Sequence, residues 1–184
     1  MDTLSVLMAA RFRAWHTAAL RCVEDVTDAQ ALWRPARGPQ SMTWQLWHIA
    51  RWDDRFAQII AELAPSLEHD VPREQVWARE NVRVRWGWKD IELGRREAGT
   101  GLSDEQAAAL PFPTLELVRD YATGAFDNVE SAVAALPPSA MLEPAGDDSE
   151  TWAANVLQYL EHLPEHVAAM NALRAWQGLP AQDS

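Results

Sequence analysis

Two histidines four residues apart close the run His162-Leu-Pro-Glu-His166 near the C-terminus. A third, His48, lies far upstream in Trp44-Gln-Leu-Trp47-His48-Ile-Ala-Arg-Trp52. Both runs read as amphipathic helix. Imidazoles at i and i+4 share one helix face and can grip a single ion. A third imidazole from a facing helix would complete a three-nitrogen site with positions left open, the arrangement of reactive metal centres rather than structural ones. Three neutral imidazoles leave the charge of a divalent ion uncompensated, so a bound water or thiol would ionise near neutral pH. Imidazole suits Zn, Ni, Fe or Cu, and spacing does not choose among them. The competing reading is that each histidine is a hydrogen-bonded core residue.

On a helical wheel at about 100° per residue, His48 falls at the edge of an apolar arc with Trp52, Phe56, Ile59 and Leu63, while Arg51, Asp54, Arg55 and Gln58 face elsewhere. Asn155, Tyr159, His162, His166, Ala169 and Leu173 form one stripe, with Glu161 and Glu165 on another face. Both histidine sites therefore point inward. Tyr159, on the histidine stripe, is the catalytic candidate, as a hydrogen-bond donor or acid, against the alternative of an amphipathic core tyrosine. Asp53 falls within the apolar arc and is expected in a buried ion pair, or else orienting a ligand. His16 faces the bundle as a further, lesser ligand candidate, and His69, in a polar loop after Pro65, is expected to be exposed. Pro164 removes a backbone hydrogen bond between the paired histidines and predicts a kink there.

Four long helices must position these groups. The first is expected over about Asp2 to Val26. The second follows the N-cap Ser41 and runs to about Leu63. The third starts at Thr114 and ends before Pro137-Pro138, and the fourth runs from near Ser149 to about Gln177, stopped by Gly178. Capping boxes at Thr27-Asp-Ala-Gln30 and Ser103-Asp-Glu-Gln106 open short turns. About fifty residues separate the second and third helices, far more than a helix hairpin uses. A crossover over about 65–112 lets those two helices run parallel, so the expected fold is all-α, an up-down-down-up four-helix bundle in a single domain over 1–184. Within the crossover, Val82-Arg-Val-Arg-Trp86 alternates like a strand, but its flanks favour helix, and helix is the assignment.

Sixteen basic residues, fifteen of them Arg, stand against 27 acidic ones, a net charge of −11. That balance repels phosphate backbones, so nucleic-acid binding is disfavoured. Residues 73–96 reverse the trend, with seven basic and four acidic residues, a net +3. With Trp77, Trp86 and Trp88 this strip could attract an anionic small molecule; the alternative is a solvated crossover paired with an acidic bundle. The single cysteine, Cys22, excludes an intramolecular disulfide, fits a reducing compartment, and reads as a small buried residue. With neither a basic-then-apolar N-terminal run nor a membrane-length apolar stretch, the expectation is a cytoplasmic protein with no membrane partner. Ten tryptophans should be mostly core or pocket lining.

The run Ser41 to Phe56 around His48 resembles the second helix of the DinB/YfiT-like family of small bacterial proteins. So do Leu93-Gly-Arg-Arg-Glu-Ala-Gly-Thr-Gly101 with Ser103-Asp-Glu-Gln106, and the ending from His162 to Pro180. The resemblance implies a four-helix bundle holding a divalent metal (Zn, Ni or Fe), often as a homodimer. It places the metal ligands at His48, His162 and His166. It also implies a small-molecule substrate and metal-dependent chemistry on low-molecular-weight thiols such as mycothiol or bacillithiol, in S-transfer or isomerisation. Two other classes stay open: a non-catalytic metal- or ligand-binding stress protein, and a helical dimerisation scaffold with core histidines.

Overall fold

Three of the four long helices begin where the N-cap side chain satisfies an amide the helix leaves open. Thr3 accepts from the Val6 amide at the head of α1 (Leu4–Arg21), Ser41 from Trp44 at α3 (Met42–Leu63), and Thr151 from Ala154 at α8 (Trp152–Trp176). In α7 (Leu115–Ala135) the cap is Thr114, whose side chain makes no capping bond. Both expected capping boxes form, at α2 (Asp28–Leu32) and at α6 (Asp104–Ala108). The computed structural model describes residues 3–64, 71, 73–146 and 150–182. His69, Pro65, Asp2 and Ser149 lie outside the described residues.

The described residues are helical and contain no strand, only isolated bridges at Arg95–Thr100 and Pro144–Thr151. The alternating segment after Asn81 is one turn, α5 (Val82–Arg85), preceded by another, α4 (Val76–Arg79). Asn81, at φ 53°, breaks the two apart in the left-handed conformation that asparagine tolerates better than most residues. The first helix stops at Arg21, short of the expected Val26.

Helices α1 and α3 each pack against both α7 and α8. Phe12, Leu46, Ile60, Val129, Leu163 and Met170 fill the space between them. Ser5 Oγ donates to the Leu136 carbonyl at 2.6 Å, and Arg174 donates to the Cys22 carbonyl at 2.9 Å and to Asp25. Among the described residues no helix is long and apolar enough to cross a membrane.

The segment joining α3 to α7 covers the polar side of α3. Asp54, fully buried, accepts from the Val76 and Trp77 amides at 2.8 and 3.0 Å, so it caps α4 from another helix. Tyr121 and Arg51 donate to the same carboxylate, and Arg51 also reaches the Glu97 carbonyl. Trp47, Trp77, Trp86, Trp88, Phe112 and Tyr121 interlock, largely edge to face. Such pairs add roughly 0.5–1.5 kcal/mol each beyond area burial. This covering layer is therefore held rigidly against α3, which matters for the site beside it.

Candidate metal centre

His48 from α3 meets His162 and His166 from α8, and the three can each offer a nitrogen within 4.8 Å of the others. The Nε2 atoms of His48 and His162 are 3.2 Å apart, and those of His162 and His166 2.8 Å. Donors on a tetrahedral ion with bonds near 2.0–2.1 Å sit roughly 3.3 Å apart. The spacing thus fits one small cation, with a slight opening between the α8 pair. Helix α8 runs through Pro164 without interruption.

The outer nitrogens decide which lone pairs are free. His48 Nδ1 lies 2.5 Å from the Ala98 carbonyl oxygen, which can only accept, so Nδ1 carries the proton and Nε2 the lone pair. His166 Nδ1 meets Gln45 Oε1. The amide is oriented by its other end, since Gln45 Nε2 donates to the Gln40 carbonyl at 3.1 Å, which leaves Oε1 to accept from His166. Two of the three imidazoles are thereby locked in the tautomer a metal needs. Burial, then the charge of His162, holds the His48 pKa down at about 4. Burial, then His48 and His162, lowers His166 to about 2, and burial lowers His162 against the opposing pull of Asp53 and Glu165. Neutral imidazoles with converging lone pairs are the protonation state of metal ligands.

Trp44 stacks on His48 with centroids 4.5 Å apart and planes 14° from parallel. The Ala98 carbonyl is delivered by a tight loop whose next residue, Gly99, has φ +84°. A Cβ there would stand 2.8 Å from the Trp44 ring and 2.9 Å from the Trp47 ring. Only glycine lets this loop lie on the two indoles. Arg96 and Glu97, just before it, both adopt positive φ, 62° and 55°. For residues other than glycine this stores about 1–3 kcal/mol each, and it persists where surrounding contacts over-determine the backbone. Glu97 has those contacts, accepting from Trp77 Nε1 and Arg83.

A cavity of about 630 Å³ opens onto His48 and His162 and is walled by Trp44, Trp52 and Tyr159. Tyr159 stacks on Phe56, 3.9 Å between centroids, and burial pushes its phenol up to about 12, so at neutral pH it keeps its proton and can donate a hydrogen bond. Among the lining residues the one carboxylate, Asp104, is engaged by Arg34 and Gln40.

His16 stays apart. Its Nε2 lies 3.0 Å from Asp53 and its Nδ1 2.8 Å from Glu130, while the ring stacks on Phe126 at 3.9 Å. Both nitrogens are committed, which leaves no lone pair for an ion. Asp53 accordingly sits in a buried ion pair, its cation a histidine of α1. Glu161 and Glu165 are exposed, and Cys22 is fully buried.

Sequence reasoning missed Gln45, Ala98 and Gly99. Gln45 stands three residues before His48 on one helix face, a spacing that was available to read. A backbone carbonyl such as that of Ala98 leaves no mark in the side chains. No curated protein matches the chain. A family model of the DinB superfamily matches residues 11–170, a stretch that contains all three clustered histidines and the loop that orients one of them. The chain belongs to the DinB superfamily.

Proposed function

We propose that His48, His162 and His166 hold one divalent cation through Nε2, and that the protein is a metal-dependent enzyme acting on a small molecule, with S-transfer from a low-molecular-weight thiol as the reaction. The observation that carries the metal reading is the tautomer lock: Ala98 and Gln45 each accept a proton-bearing Nδ1, which aims two lone pairs at the third imidazole. The cavity beside them supports a small substrate rather than a macromolecule. Metal binding is common in the superfamily. A divalent ion at this position supplies Lewis acidity that brings the pKa of a bound water or thiol toward neutrality.

The chain's own residues do the rest. Trp44 fixes the His48 ring by stacking, Trp52 and Tyr159 exclude water from one side of the cavity, and the protonated Tyr159 hydroxyl is a hydrogen-bond donor for the reacting molecule. The bundle order we propose is up-down-down-up. It is supported by Ser5 at the head of α1 meeting Leu136 beyond the tail of α7, by Arg174 late in α8 meeting Cys22 after α1, and by Gln45 and Phe56 of α3 meeting His166 and Tyr159 in reverse order along α8.

Metal content of the untagged protein tests the centre. About one divalent ion per chain is expected, lost in His48→Ala and in His166→Ala with helicity retained. Full occupancy in either variant overturns the ligand set. Turnover is tested by offering the metal-loaded protein several small thiols with electrophilic acceptors; activity that survives complete metal removal would exclude a metal-dependent enzyme.

A further inference from the structure

Helices α1 and α8 lie side by side, and a groove of about 390 Å³ opens between them on the outside of the bundle. Leu7, Arg11 and Trp15 stand on one wall, and Leu157, Glu161 and Pro164 on the other. Each set recurs at intervals of three and four, so each is one stripe of its helix. On a wheel of α8 the groove stripe lies opposite the stripe that carries His162 and His166. The groove is therefore a separate surface from the metal centre. Its rim is apolar: Leu7 is 52% exposed, Leu157 46%, and Leu4, one turn before Leu7, 45%. Single exposed leucines are ordinary, but leucines gathered along one groove mark a surface that meets a partner.

The charges indicate which partner. No acidic residue lies in α1, whose formal charges are Arg11, Arg13 and Arg21. The exposed charges of α8 are all acidic, Glu161 and Glu165, while its one arginine, Arg174, is fully buried. Arg13 is held by Glu130 of α7. Arg11 and Glu161 stand on opposite walls of the groove, both exposed, and among the described residues neither makes an ion pair. A peptide of either sign would match one wall and oppose the other. A second copy of the chain matches both, because a twofold axis parallel to the helices lays α1 of each copy over α8 of the other.

We propose that the groove between α1 and α8 docks a second copy of this chain in that twofold arrangement. Leu7 of each copy lies against Leu157 of the other, and Arg11 of each pairs with Glu161 of the other, so two reciprocal ion pairs flank an apolar centre. An axis across the helices would instead set α1 on α1 and α8 on α8, basic helix on basic and acidic on acidic, which like-charge repulsion disfavours.

Sedimentation velocity of the untagged full chain, run from low to high micromolar concentration, tests the interface. The native chain is expected to pass from a 20.6 kDa species to one of twice that mass across this range. Leu7→Glu, at an exposed position, should weaken association about 100-fold. Arg11→Glu and Glu161→Arg each replace two attractions with two repulsions and should each weaken it about tenfold. Mixed one to one, these two variants are complementary at both contacts and should associate with each other at near-native affinity. A chain carrying both substitutions should likewise dimerise with itself. Recovery of this kind cannot come from misfolded chains. A native chain that stays monomeric throughout the range overturns the proposal. So does a dimer indifferent to Leu7→Glu, or one for which mixing the two charge variants restores nothing.

Discussion

The imidazole of His48 donates through Nδ1 to the carbonyl oxygen of Ala98 at 2.5 Å, across fifty positions of chain. This one bond connects the helix that carries a proposed ligand to the loop that closes the site. It sets the tautomer, fixes the ring plane together with the stacked Trp44, and makes the covering segment part of the centre. In the proposed centre, loop geometry and metal affinity are therefore coupled.

Gly99→Ala tests that coupling without touching a ligand. The new methyl would have to occupy space 2.8 Å from Trp44 and 2.9 Å from Trp47, at φ +84°. The loop must lift, and the Ala98 carbonyl moves with it. Loss of an outer-shell partner of this kind lowers metal affinity about 10- to 100-fold, accompanied by about 1–3 kcal/mol of destabilisation from the strained backbone. Competition against a chromophoric chelator measures the first, and denaturant unfolding of the metal-free protein the second. Unchanged affinity would show that the loop does not orient His48.

Gln45 plays the same part for His166. Gln45→Leu leaves a buried imidazole donor unpaired and frees the ring to flip, so metal affinity should again fall about 10- to 100-fold while the helix persists. Gln45→Glu restores an acceptor, one that makes the imidazole more basic, and should recover most of the loss. A merely packing role for Gln45 predicts no difference between the two variants.

The histidine triplet was legible in the sequence because helical spacing alone puts His162 and His166 on one stripe and His48 on an inward edge. Both capping boxes and the Ser41 cap were legible for a similar reason, since caps are made within four residues. What was not legible depends on contacts between distant segments. A wheel of α3 places Arg51 and Asp54 off the apolar arc, yet both are buried, because the crossover brings Gln75 and two amides, and α7 brings Tyr121, to satisfy them. Periodicity cannot see a polar face that another polar segment will seal. His16 is similar: its carboxylate partners come from α3 and α7, and nothing local to α1 announces them.

Cys22 should behave as an inert core residue. Burial pushes its thiol up to about 11, with Arg174 opposing and Asp25 assisting. The thiolate is the reactive species, so a disulfide reagent at pH 8 should label the native protein only as fast as it opens, and fully once denatured. Rapid stoichiometric labelling of the native fold would contradict this placement.

Stability should fall as pH rises above neutrality, and His16 supplies the reason. Burial lowers its pKa, but hydrogen bonds and charge from Asp53 and Glu130 outweigh burial and raise it above 6.5. The folded chain then holds a proton that the unfolded chain has released. The contribution of His16 is complete below the unfolded value and is lost as pH climbs through the folded one. Glu130 has the opposite sense. Hydrogen bonds from His16 and Arg13 lower its carboxyl despite burial, so its contribution is lost in acid. Burial raises Asp53 against the hydrogen bond and charge of His16, so its contribution also falls with rising pH, but starting from the ordinary carboxylate range rather than above neutrality. Replacing His16 by alanine strands two carboxylates without their shared cation, at a cost of about 3–5 kcal/mol. In His16→Gln the melting temperature should lie below that of the native chain and vary much less between pH 6.5 and 9. An identical pH slope in the two proteins would place the titrating group elsewhere.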